Sequence, residues 1–116
     1  MKTIQTMGAQ GDVMFRRVET VPVGFEVAPR KDGRLIVAHS ETGHHHAIDD
    51  TGVVHYTGGD PLISYLRLES VDSCDVVHHR PHDTHETLRL SGGQGAVYQV
   101  IRQREHTPEG WRRVED

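Results

Sequence analysis

The sequence predicts an all-β fold, a small single-domain barrel or two-sheet sandwich of about seven or eight short strands. Two observations lead there. No window of about 11 residues sustains a helical spacing of apolar residues. Instead, short runs rich in Val, Ile, Leu, Phe and Tyr alternate with breaks in which Gly, Pro and Asp gather. At 116 residues, 34% of them hydrophobic, with a mean hydropathy of -0.58, the chain has the length for one domain spanning residues 1–116 and the apolar content for only a lean core. A bound metal or a subunit interface would supplement such a core.

Residues 1–10 carry no β-type run and read as a loose lead-in. Gly11-Asp12 then introduces Val13-Met14-Phe15-Arg16-Arg17-Val18, the first strand. Pro22, Gly24 and Pro29 interrupt residues 20–30, which should cross the surface in extended form before a turn at Lys31-Asp32-Gly33. The run from Leu35 to Ala38 is apolar without alternation, as in a strand buried on both faces. Ser40 to Gly43 breaks it and leads into a strand over residues 44–48. Asp49-Asp50-Thr51-Gly52 is a turn signal before Val53-Val54-His55-Tyr56, so a hairpin is expected there, with Ile48 facing Val53 and His46 facing His55.

Further strands are expected over residues 62–69, around Asp75 to His78, and from His85 to Leu90. The longest should follow the Ser91–Gly95 turn, from Ala96 to Glu105, and residues 107–116 read as a polar tail holding the only tryptophan.

Against this scaffold the histidines stand out. Seven of the ten lie in two clusters, His44-His45-His46 and His78-His79-Arg80-Pro81-His82-Asp83-Thr84-His85, and imidazole is the commonest protein ligand for a transition metal. In an extended chain His44 and His46 share one face while His45 points away. His82 and His85, three apart, cannot share the face of a regular strand, but Pro81 favours a bend through which both rings could converge. The candidate metal ligands are therefore His44, His46, His82 and His85, with His55 as a substitute brought close by the hairpin. His45, His78 and His79 read as neighbours or solvated residues, and His39 and His106 as structural. Glu86 is a weak candidate base for a metal-bound water, because in a strand it would face away from His85.

Other chemistries are set aside. The net charge is -4 with histidines neutral, and the arginines are scattered, so nothing recommends nucleic acid. Cys74 is the single cysteine, excluding an intramolecular disulfide or a cysteine-rich zinc site. No apolar run is long enough for a bilayer, and a soluble cytoplasmic protein is expected. His82-Asp83-Thr84-His85-Glu86 is not HExxH, and Ser91-Gly92-Gly93-Gln94-Gly95 lacks the Lys-Ser/Thr of a phosphate-binding loop.

The succession GDVMFRRV, GRLIVAHSETGHHHAI, HDTHETLRL and GAVYQVIRQREHTPEGWRRVED resembles a family of small uncharacterised bacterial and phage-borne proteins over about residues 10–116. That resemblance implies that His44, His46, His82 and His85 occupy its paired histidine positions, and it implies no established activity. Cupins also place HxH on a barrel strand, but their later glutamate and lone histidine have no counterpart here.

The expectation is thus a metal-binding β protein holding one divalent transition metal, zinc or nickel before iron, through a histidine cluster. The alternatives are a phage-related interaction or assembly module, with histidines at a subunit interface or in a pH-responsive patch, and a cupin-like metal-dependent enzyme. A homo-oligomer, a small-molecule substrate and a protein partner are all compatible with the sequence.

Overall fold

The structure, a computed structural model, describes residues 1–38, 45–78, 86–102, 104–107 and 110–113. All regular structure in these residues is β. In chain order the strands are β1 (Lys2–Ile4), β2 (Met7–Gln10), β3 (Val13–Val18), β4 (Glu26–Val27), β5 (Leu35–Ala38), β6 (His46–Ile48), β7 (Val53–Thr57), β8 (Ile63–Leu68), β9 (Ser73–His78), β10 (Leu88–Ser91), β11 (Val97–Arg102), β12 (Arg104–Thr107) and β13 (Gly110–Arg113). Eleven of them build two sheets, ordered β1-β10-β9-β6-β5 and β2-β3-β11-β8-β7-β4. Neither closes on itself, so of the two expected architectures the two-sheet sandwich is the one formed.

The inward faces supply the core. Phe15, Leu66, Leu68, Tyr98 and Val100 come from the six-stranded sheet, and Leu35, Ile48, Val76, Leu88 and Leu90 from the five-stranded one, all 2% exposed or less. Burying each such side chain contributes about 1.5–3 kcal/mol. On β8, Ser64, Leu66 and Leu68 face inward. Tyr65, on the other face, is buried as well, because Phe25 packs edge-on against it at 4.8 Å.

Turn chemistry places the corners. Asp32 and Gly33 both have positive φ, 54° and 76°, between the bridged residues Lys31 and Arg34. Two such residues make the mirror-image turn that suits a right-handed ladder twist, and the expected Lys31–Gly33 turn is there. Gly93 and Gly95 at 86° and 91° carry the chain through the expected break before β11.

Four expectations are corrected. Residues 1–10 are not a loose lead-in. Lys2–Ile4 pairs in parallel with β10 and Met7–Gln10 pairs with β3, each at a sheet edge where half the side chains stay exposed and no apolar run announces a strand. Residues 107–116 are not simply a tail, since Gly110–Arg113 pairs back on Arg104–Thr107. The single long strand expected from Ala96 to Glu105 is shared between β11 and β12, which belong to different sheets.

The fourth concerns the turn at residues 49–52. It is a corner between sheets and not a hairpin, for β6 lies between β5 and β9 while β7 lies between β8 and β4. With His46, Ala47 and Ile48 all 1% exposed or less, β6 is an interior strand with both edges taken, so no ladder is left for β7. The corner is tied down locally. The Gly52 carbonyl accepts from the amides of Glu69 and Ser70 at 2.9 and 3.1 Å, the carboxylate of Asp50 accepts from the Asp75 amide at 3.1 Å, and Arg30 donates to the carbonyls of Asp50 and Val53.

Candidate metal centre

Three pieces of the chain meet at one end of the five-stranded sheet. The antiparallel pairing of β6 with β9 sets His46 opposite His78, and β5 reaches His46 through a β-bulge between Ile36 and Ala38. Bulges of this kind re-aim side chains and recur beside functional sites. The two imidazoles, both 0% exposed, stack with ring centroids 4.1 Å apart and planes 14° from parallel.

The third piece arrives from the other sheet. β2 and β3 form a hairpin in which Gln10 pairs with Val13 across Gly11-Asp12. Gly11 has φ 61°, the positive angle that a two-residue turn of this kind needs at its first position. The hairpin tip carries Gln10 and Asp12, 2% and 5% exposed, against β6.

Gln10 fixes the chemistry of His46. Its Nε2 donates both hydrogens to backbone carbonyls, Val76 at 2.8 Å and Glu86 at 2.9 Å, where β9 and β10 diverge beyond the Leu88–Val76 pair. With the amide orientation set, Oε1 is the acceptor that faces His46 Nδ1 at 2.9 Å, so Nδ1 carries a proton and donates. The other ring nitrogen, Nε2, is turned toward Asp12 Oδ1 at 3.7 Å. Metal-ligating histidines are held in this way, with the non-ligating N–H given to a fixed acceptor. Two ligand atoms on one ion at about 2.0–2.2 Å stand roughly 3.3 Å apart at the tetrahedral angle, and further apart as it opens. The His46–Asp12 spacing therefore suits either a direct ion pair or two donors to one ion.

Of the sequence-predicted ligands, His46 lies in the described site, while His44, His82 and His85 lie outside the described residues. The described chain resumes at His45, next to His46 of β6, and breaks off at His78, the last residue of β9. His55 is not opposite His46. It sits on β7 of the other sheet, 6% exposed, and is paired with Leu66. Glu86 places its carboxylate 3.0 Å from the amino group of Met1, with its side chain 60% exposed, while its backbone carbonyl serves Gln10. Cys74 offers no thiolate at neutral pH. Burial first, then the nearby carboxylates of Asp50 and Asp75, push its thiol up to about 12.

Sequence reasoning missed Gln10, Asp12 and the role of His78. Asp12 had a signal in the Gly-Asp turn before an apolar strand, and Gln10 stood in the segment taken for a lead-in. Among the described residues no group of three or more His, Cys, Asp or Glu is placed to hold an ion, so His46 and Asp12 are two donors and not a complete site.

The fold and site define an all-β two-sheet sandwich with a buried histidine, carboxylate and carboxamide cluster at one sheet end. The chain belongs to the family described as Domain of unknown function (DUF8820), whose model matches residues 9–103, a span that holds the whole cluster. Comparison with curated proteins and with solved structures returns no match.

Proposed function

We propose that the protein holds one divalent transition metal, with His46 Nε2 and Asp12 as buried donors and His44, His82 and His85 completing the set. The observation that carries this reading is the orientation of His46: Gln10 takes its Nδ1–H and turns Nε2 toward a buried carboxylate. Topology supports it, because both histidine-rich segments join the sheet at the stacked His46–His78 pair. A mixed imidazole and carboxylate set favours zinc or nickel and also suits iron. Whether the role is structural or catalytic turns on an open coordination position.

The test is thermal unfolding at neutral pH with and without a strong chelator. A fall in Tm with chelator, reversed by added Zn or Ni, is the expected outcome. Indifference to chelator with sensitivity to acid alone would transfer the cluster to the second reading, a phage-related interaction module. That reading draws on Val27 of the short edge strand β4 and on Val23 just before it, 64% and 102% exposed.

A further inference from the structure

A cleft of about 600 Å³ opens between the two sheets, with β5 on one side and β7, β8 and β11 on the other. Its size is that of a small-molecule site. Among the described residues it shares no wall with Gln10, Asp12, His46 or His78.

The chemistry of its floor is unusual for a sandwich interior. The six-stranded sheet presents apolar side chains inward along most of its length, namely Val53, Leu66, Leu68, Tyr98 and Val100. At the cleft the same inward rows carry His55 on β7, Ser64 on β8 and Arg102 on β11. These strands are adjacent, with Ser64 paired to Val100 and the Arg102 amide donating to the Leu62 carbonyl at 2.9 Å, so the three polar residues form one patch. Facing it, β5 supplies an apolar wall through Ile36, Val37 and Ala38. At the rim Asp60 is already engaged, its Oδ1 accepting from the Leu62 amide at 2.9 Å, whereas Lys31 adds a second positive charge.

We propose that this cleft binds a small organic carboxylate with an apolar body, its carboxylate received by Arg102 together with His55 and Ser64. A guanidinium matches a carboxylate in charge and planar geometry, and a neutral imidazole or a hydroxyl adds a donor. The apolar wall accounts for the body. Two cationic side chains, Arg102 and Lys31, against the one carboxylate of Asp60 among the described lining residues disfavour a cationic ligand.

The probe is hexanoate, titrated into isotope-labelled protein, with hexylamine and hexanol as matched controls. Hexanoate should shift the amides of His55, Ser64 and Arg102 to saturation, hexylamine should leave them unmoved, and Arg102→Gln should weaken hexanoate about tenfold while Arg102→Lys weakens it less. Equal responses to hexanoate and hexylamine, no response to hexanoate, or unchanged affinity in a folded Arg102→Gln protein would each overturn the assignment. Chelator-treated protein should respond as untreated protein does, so the outcome is separate from that of the metal reading.

Discussion

At the residue scale, Gln10 decides what His46 can be. One side chain satisfies two carbonyls at the open end of the β9–β10 ladder and a buried imidazole N–H. Gln10→Leu fills similar space and removes all three hydrogen bonds. We expect a loss of about 1–3 kcal/mol for each group left without water or a substitute partner, read by urea denaturation. Metal affinity should fall about 10–100-fold, the usual effect of removing a partner that orients a ligand, read by competition with a chromophoric chelator.

Cys74 gives a second residue-scale expectation. A thiol with its pKa raised from 9.0 to about 12 keeps its proton in the folded state after the unfolded chain has lost its own. Its contribution is complete below pH 9 and is lost as the pH climbs to about 12. Native protein should resist alkylation at pH 8, and Cys74→Ala should lose less stability across the alkaline window than wild type. Rapid alkylation of the native protein would show the thiol to be accessible.

At the scale of elements, the sheet-crossing corner is the feature that organises the site, and it was the least legible in the sequence. Asp-Asp-Thr-Gly between two apolar runs signals a turn in either case. What distinguishes a corner from a hairpin is whether an edge of β6 remains open, and that depends on β9, some 30 residues away in the chain. Gly52 tests the corner, for a Cβ there would lie 2.6 Å from Ser70 Oγ and from Val71 Cγ1. Gly52→Ala should cost about 1–3 kcal/mol by overpacking, measured as a lower Tm; in a free hairpin turn it would be close to neutral.

The strong strands were legible because β3, β5 and β8 carry apolar runs that burial demands. The edge strands β1, β2 and β4 were not, because exposed backbone pairing leaves little trace in side-chain pattern.

At the scale of the whole molecule, the sandwich brings residues from both sheets to one end. Gln10 and Asp12 come from the β2–β3 hairpin of the six-stranded sheet, while His46 and His78 belong to the five-stranded one. The histidine clusters could be read from the sequence as metal-ligand candidates, and His46 lies in the buried cluster. The carboxylate could not be found in this way, since 34 residues separate Asp12 from His46 and only the packing of one sheet on the other relates them.

The most direct measurement is metal content by plasma mass spectrometry on untagged protein purified without nickel resin. It should be compared with Asp12→Asn and with a His82→Ala/His85→Ala double variant, each verified as folded by circular dichroism. Close to one equivalent of zinc, nickel or iron per chain is expected in wild type, with most of it lost in both variants. Wild-type protein that is folded, metal-free and unable to take up Zn or Ni would contradict it, leaving Asp12 and His46 as a buried polar pair.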